Sequence, residues 1–371
     1  MDILFEANRD VLLRPLQAVA SIVERRHTLP ILSNVLLEKT DSALSLLATD
    51  LEIQISCQVP CDDVGRTWAI TVPARKLLDI VRALPEASPI ELRQEEGRLL
   101  VRSGKSRFAL QTLPVEDFPK LPQAIPETGR LRIPQRALKR LFALVQYAMA
   151  QQDVRYYLNG LLLVIEDGKL TAVATDGHRL ALANTQVLAL EQSERKELIL
   201  PRKAVQELLK HLLDNEEEVV LQFTGNRVLA AVGDLLIMTK VVDGRFPDYQ
   251  RVIPSGYQKQ FLIDRQQLQQ AHARVAILAS DKLRGVRWIL TENNLRIVCR
   301  NNEQEEAQEE LEIEYGGEAL DIGFNIGYLI DVFANVPGSM VCCGFGDASS
   351  SALITLPETA DFKYVVMPMR I

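Results

Sequence analysis

Apolar and polar positions alternate along this chain with two periods, and both patterns return about every 125 residues. A strand-like alternation runs through Leu44, Leu46 and Ala48, then through Leu170, Ala172 and Ala174, then through Leu295, Ile297 and Cys299. The three starts lie 126 and 125 residues apart. A second pattern, spaced i, i+3, i+4, i+7, runs through Leu77, Ile80, Val81 and Leu84. It recurs at Val205, Leu208, Leu209 and Leu212, and at Ile326, Leu329, Ile330 and Phe333. That spacing collects four side chains on one face of a helix, whereas alternate positions share one face of a strand. Three tandem copies of one design predict a repeat architecture.

Each copy opens with a short strand and a helix. Residues 3–5 precede a helix expected over residues 8–24, and residues 131–133 lead to Pro134, a residue suited to the first helical position. Residues 261–263 lead to Asp264, the expected N-cap of a helix through Leu268 and Val275. Alternating segments follow, then the second helix, introduced by Val72-Pro73, Leu200-Pro201 and Gly323-Phe324. Phe118-Pro119 and Phe246-Pro247 close two copies 128 residues apart, and Met367-Pro368 closes the third. The pattern predicts α+β modules rather than alternating βαβ units. Each helix carries a single apolar stripe, so both helices of a module should pack on one side of its sheets. The joints fall at residues 122–129 and 254–256, giving modules at 1–127, 128–255 and 256–371.

Composition narrows the picture. The 371 residues are 47% hydrophobic and 25% charged, as in an ordinary globular protein. No apolar run approaches the roughly 20 residues of a membrane span, and the first residues lack the basic start and apolar core of a secretion signal. Five cysteines without CxxC spacing read as reduced thiols, and four scattered histidines argue against zinc. A cytoplasmic protein without metal, cofactor or membrane partner is expected. The formal charge of −7 is unevenly spread: six candidate helical stretches sum to +9, leaving −16 outside them. Basic helices on an acidic body point to one surface that attracts phosphate and another that repels it.

Signatures of catalysis are missing. There is no GxxxxGK[ST], GxGxxG, GxSxG or HExxH. Asp176-Gly-His178-Arg179 gathers a carboxylate, an imidazole and a guanidinium, which fits either a turn with a polar tip or a hydrolytic centre around His178. The acidic run from Glu303 to Glu310 suits a solvated edge that meets a basic partner, and Arg102, Lys105 and Arg107 could supply one in a second copy. Tyr156 and Tyr157, beside Gln151, Gln152 and Arg155, suit either core packing or contact with nucleic acid.

Four segments carry a family resemblance: residues 153–160 (DVRYYLNG), 174–181 (ATDGHRLA), 242–249 (VDGRFPDY) and 364–371 (YVVMPMRI). They resemble the bacterial sliding clamps, the β subunits of DNA polymerase III, as do residues 28–32, 72–76, 284–286 and 301–310. The resemblance runs end to end. It implies a DNA clamp fold: three pseudo-symmetric modules with sheets outside and helices inside, forming half of a closed ring that a head-to-tail homodimer completes around duplex DNA. It implies a pocket between the second and third modules for short motifs on the polymerase III catalytic subunit, the clamp loader and other replication and repair proteins. That pocket would use Leu158, Thr175, Gly177, His178, Arg179, Leu180, Pro247, Arg251, Val252, Asn325, Tyr328, Ser351 and the tail Val365, Val366, Met367, Pro368, Met369 and Arg370. The DNA-facing set would be Arg26, Arg75, Lys76, Gln152, Tyr156, Tyr157 and Lys203. The dimer seam would pair Lys105, Arg107, Phe108 and Leu110 with Ile277, Leu278, Glu303, Glu305 and Glu306. Ser349 stands where some members carry an apolar residue, and losing about 1.5 kcal/mol of apolar burial there would weaken a ligand roughly tenfold. Two readings from other classes are an open scaffold that binds nucleic acid by affinity alone, and the hydrolase centred on His178.

Overall fold

The nine alternating positions that announce the repeat, from Leu44 to Cys299, are all completely buried in the computed structural model. The structure describes residues 3–24, 28–40, 42–61, 67–121, 129–190, 195–279 and 284–371. Its contacts divide the chain into two compact units.

The first unit comprises residues 1–135, 188–192 and 206–241. One sheet runs β1 (Ile3–Asn8), β6 (Pro89–Glu95), β7 (Arg98–Ser103), β8 (Ser106–Gln111). The other has nine strands in the order β13 (Ala189–Leu190), β9 (Gly129–Pro134), β15 (Glu218–Phe223), β16 (Arg227–Val232), β17 (Leu235–Lys240), β4 (Ile53–Pro60), β3 (Ala43–Thr49), β2 (Asn34–Lys39), β5 (Trp68–Pro73). Helix α1 (Arg9–Ala20) packs on α2 (Ala74–Ala83) and on β3 and β4. The buried faces are Leu12, Leu16 and Val19 of α1 and Leu77, Leu78 and Val81 of α2.

The second unit comprises residues 136–187, 193–205 and 242–371. Its large sheet runs β14 (Lys196–Pro201), β10 (Gly160–Glu166), β11 (Lys169–Thr175), β12 (Arg179–Gln186), β25 (Thr359–Val366), β24 (Ala352–Leu356), β23 (Met340–Phe345), β18 (Lys259–Asp264). The small one runs β21 (Glu306–Glu312), β20 (Asn294–Arg300), β19 (Gly285–Thr291), β22 (Leu320–Asn325). Helix α5 (Arg265–Val275) packs on α6 (Ile326–Asn335) and on β18, β20 and β21. Helices α3 (Gln135–Ala143) and α4 (Arg202–His211) belong to the second repeat.

The strand order restates the repeat. One four-strand set occurs as β1-β6-β7-β8, β9-β15-β16-β17 and β18-β23-β24-β25. The other occurs as β5-β2-β3-β4, β14-β10-β11-β12 and β22-β19-β20-β21. Each large sheet joins two sets through the same pair of strands, β4 with β17 and β12 with β25, both antiparallel. The fold is α+β in three tandem modules, and the first two repeats each pair one strand, β4 or β12, with a strand of the next, β17 or β25. At the chain's two ends the corresponding strands, β8 and β21, each pair on one side alone among the described residues.

Local signals explain the helix ends. Asp264 caps α5 as expected, its carboxylate accepting from the Gln267 amide at 2.7 Å. Pro134, expected to open α3, instead ends β9 opposite Glu218, and the helix starts at Gln135. The Gln135 amide is held by the loop after α4, its Nε2 donating to Glu217 and its Oε1 accepting from the Leu213 N–H. Helix α1 stops at Ala20, short of the expected Glu24, because the Ser21 hydroxyl bonds the Ala18 carbonyl at 2.7 Å and competes with the helical ladder. Among the described residues no helix is long and apolar enough to cross a membrane.

The third module's core encloses an imidazole. His272 is fully buried, its Nδ1 lies 2.7 Å from the Leu268 carbonyl, and its Nε2 accepts from the Trp288 indole N–H at 2.9 Å. Burial pushes its pKa down from 6.5 to about 4. The unfolded chain therefore binds a proton between these values that the folded chain refuses. This contribution to stability is intact above pH 6.5 and is lost as pH falls toward 4. We expect denaturant midpoints to drop over that interval by an amount worth up to about 3 kcal/mol. The decline should be shallower in His272→Gln, measured by urea titration at pH 7, 5.5 and 4.5.

Candidate functional site

A turn that closes the third strand of the module builds the site, and it recurs. In Thr175-Asp176-Gly177-His178-Arg179, the Thr175 hydroxyl donates to the Arg179 carbonyl at 2.5 Å and accepts the Gly177 N–H. One Asp176 oxygen accepts the His178 and Arg179 amides. In Thr49-Asp50-Leu51-Glu52-Ile53 the same four bonds form between the corresponding atoms. In the third repeat Asn301 accepts the Glu303 and Glu305 amides. The aspartate is therefore a turn former, and what distinguishes the second copy is its side chains. Gly177 has a φ of +90°, where the first repeat carries Leu51 at +78°. Leu51 packs into an apolar cluster with Ile31, Leu36 and Phe118, but a side chain on Gly177 would meet the Arg155 guanidinium at 3.0 Å. A bare glycine leaves that space open.

The space is a cavity of about 400 Å³ within the second unit. Leu180 and Val365 line it and belong to an apolar cluster with Leu162, Val173, Ile199 and Phe246, against which Tyr157, Tyr249 and Leu353 pack. Of the residues assigned to a peptide pocket, Leu158, Thr175, Gly177, His178, Arg179, Leu180, Pro247, Val252, Ser351, Val365 and Met367 line it. Arg155, Tyr157, Asp248 and Tyr249 line it too. The sequence signal for these four was their place inside the 153–160 and 242–249 segments.

Arg179 organises one wall. Its guanidinium donates to Asp176, to Asp331 at 2.6 Å and to the Tyr147 carbonyl at 2.7 Å, and it lies 4.4 Å over the Tyr328 ring. Burial opposes the charge, but Asp331 and Asp176 hold its pKa above the ordinary arginine value. Tyr328 thus supports the wall from behind, and its carbonyl accepts the Tyr364 hydroxyl, whose pKa burial raises. Arg155 is bound to both oxygens of Asp153 and to the Asp176 carbonyl. Those bonds hold the Asp153 carboxyl down to about 2. Beside this wall runs the tail: the Met367 N–H donates to the His178 carbonyl at 2.9 Å, and Met367 is half exposed.

The other assigned pocket residues lie around it. Val366 is buried opposite Arg179, Asn325 caps α6 by accepting the Gly327 N–H, and Arg251 pairs with Asp248 on the exposed surface. Pro368, Met369 and Arg370 follow the last strand, with Met369 partly exposed. The polar segment near Ser349 is self-contained: Ser349 and Ser350 turn their hydroxyls onto Asp347, and only Ser351 reaches the cavity. Tyr257 fixes that position by donating to the Ser351 carbonyl at 2.6 Å.

Of the DNA-facing assignments, Arg26 lies outside the described residues. In the first unit, Arg75 and Lys76 are exposed on the first turn of α2, and the Arg75 guanidinium donates to the Val23 carbonyl. In the second unit, Gln152 is exposed with a φ of +56°, and Lys203 is partly buried on α4. Tyr156 is 57% exposed, but its neighbour Tyr157 turns into the cavity wall, so the pair presents one ring to solvent.

The seam assignments lie on or near the edge strands β8 and β21 and on the turn after α5. Lys105 and Arg107 are exposed beside Phe108 on and before β8, with Leu110 buried and Arg107 paired to Glu95. Ile277 is 79% exposed and Leu278 partly so, on the turn after α5. Glu303, Glu305 and Glu306 are exposed at the start of β21, where Asn301 binds Glu305 and Arg300 binds Glu306.

A tandem α+β module protein with an apolar cavity lined in part by Arg155 and Arg179 is the class these features define. Family models of the DNA polymerase III beta subunit match its N-terminal domain at residues 3–122, its central domain at 132–248 and its C-terminal domain at 250–370. The chain is 46% identical to a beta sliding clamp of Pseudomonas aeruginosa over 367 residues, covering 99% of this chain and 100% of that one. It is 44% identical to that of Escherichia coli K12 with the same coverage. The crystal structure of the Pseudomonas aeruginosa DNA polymerase III subunit beta superposes with a TM-score of 0.95 at 46% identity, covering 99% and 100% of the two chains. The chain therefore belongs to the DNA polymerase III beta subunit family and is a DNA sliding clamp.

Proposed function

We propose that two copies pair head to tail, β8 of one beside β21 of the other, and close a ring around duplex DNA. The observation that carries this reading is the strand topology. The same two strands of the module join as β4 with β17 and as β12 with β25, and one chain leaves the third such pair unmade. Charge favours the match: β21 carries Glu306, Glu309, Glu310 and Glu312, and the β8 end carries Lys105 and Arg107. Exposed Ile277 and Leu278 supply apolar area to bury. The module boundaries are proposed at 127/128 and 255/256.

Holding DNA by topology changes what the inner surface must do. Arg75, Lys76 and Lys203, with Tyr156 and Gln152, need only weak, sequence-blind phosphate contact, since tight contact would impede sliding. The cavity takes short apolar segments of the polymerase III catalytic subunit, the clamp loader and other partners. Met367 and Met369 are soft enough to fit several side chains. The protein works in the cytoplasm and catalyses no reaction itself, a reading supported by Asp176, whose oxygens serve backbone amides and Arg179 rather than the His178 ring. Opening the ring then falls to a separate nucleotide-using protein. Native mass tests the reading. The ring predicts twice the 41.6 kDa of one chain, and a stable monomer at micromolar concentration would favour the open scaffold.

A further inference from the structure

The segment after β25, which brings Met367 to the cavity, runs against two glycines. Beyond the Met367 bond to His178, its backbone bond is from the Met369 N–H to the Gly323 carbonyl at 2.7 Å. A side chain on Gly323 would collide with the Met369 carbonyl oxygen at 2.4 Å and with Ile371 at 2.7 Å. A side chain on Gly285 would meet Ile371 atoms at 3.0 Å. Gly323 pairs with Arg287 across β22 and β19, and Gly285 lies two residues before Arg287. The two glycines therefore share one face of the sheet as diagonal neighbours. Together they leave a bare patch, and the Ile371 side chain, 63% exposed, lies against it.

We infer that Gly323 and Gly285 are positioning residues for the peptide site: their contacts with Met369 and Ile371 dock the tail and so fix Met367, which lines the cavity. This rests on the peptide-binding reading of that cavity, but the docking itself can be measured without a ligand. The two glycines differ usefully. The obstacle facing Gly323 is backbone, which no trimmed side chain relieves, whereas the obstacle facing Gly285 is the Ile371 side chain alone.

The test combines carboxypeptidase trimming of the intact dimer, followed by mass spectrometry, with binding of a fluorescent peptide that carries the clamp-binding segment of the polymerase III catalytic subunit. Gly323→Ala should lose Ile371 and Arg370 roughly tenfold faster and bind the peptide roughly tenfold more weakly, with native mass and thermal midpoint close to wild type. Gly285→Ala should show the same changes more mildly, and adding Ile371→Ala should return peptide affinity toward wild type in the Gly285→Ala background but not in the Gly323→Ala background. Wild-type trimming by Gly323→Ala would overturn the docking. Faster trimming with unchanged peptide affinity would overturn the positioning role. If the wild-type protein binds no peptide, the reading of the cavity fails, and the trimming rates still decide whether the two glycines dock the tail.

Discussion

Removing Met367 to Ile371 should abolish stimulation of the polymerase while leaving the dimer whole. Strand β25 ends at Val366, so the deletion spares the ladder from Arg179–Val366 to Ala183–Phe362 that joins the second and third modules. It also spares both free edges, β8 and β21. What disappears from the cavity lining is half-exposed Met367, together with Met369 and Ile371 beyond it. Burying one methionine against a ligand is worth about 1.5–3 kcal/mol. Loss of Met367 should therefore weaken a bound peptide by roughly ten- to a hundredfold. Peptide anisotropy and native mass on the same sample check both halves. A deletion variant that ran as a monomer would mean that the tail belongs to the seam instead.

Charging the turn after α5 should have the opposite signature. Ile277 and Leu278 follow the helix whose Arg274 grips Glu309 of β21 through two hydrogen bonds of 2.7 and 2.8 Å. The turn and the free strand are thus one fixed surface, which a second copy can meet without reorganisation. Ile277→Asp with Leu278→Asp replaces apolar area that the seam would bury by carboxylates beside an already acidic strand. The expected cost is about 4 kcal/mol per seam, a roughly thousandfold loss of dimer affinity. Both seams of a closed ring carry it. Native mass should fall to that of one chain, while peptide binding to the cavity, which neither residue lines, persists. A variant of unchanged mass would remove this turn from the interface.

The amphipathic skeleton was legible because it depends on local periods. Leu44, Leu46 and Ala48 lie on one face of β3, and Leu77 and Val81 share the buried stripe of α2. Asp264 announced its helix because a cap needs only its own neighbours. The sheets that run from one module into the next left no such trace. Pairing β4 with β17 brings Cys57 opposite Leu235, and a contact of that sequence separation has no period to read. The site was half legible for a related reason. The resemblance supplied Leu180, His178 and Arg179, but which of Tyr156 and Tyr157 faces solvent is decided by packing against Phe246 and its neighbours. The sequence marked Ser349 as a polar intrusion, yet Asp347 takes up its hydroxyl, an arrangement that only the turn geometry reveals. Gly177 against Leu51 was readable in principle, since the two turns align residue for residue, but the bonds that make them equivalent emerge from the fold.

The most direct measurement is retention on DNA. Protein assembled on a nicked circular duplex and washed in high salt, which screens phosphate contacts, should stay bound. Cutting the circle once should release it. Equal loss from circular and linear DNA would contradict the ring, and equal retention on both would mean that binding depends on affinity rather than on enclosure.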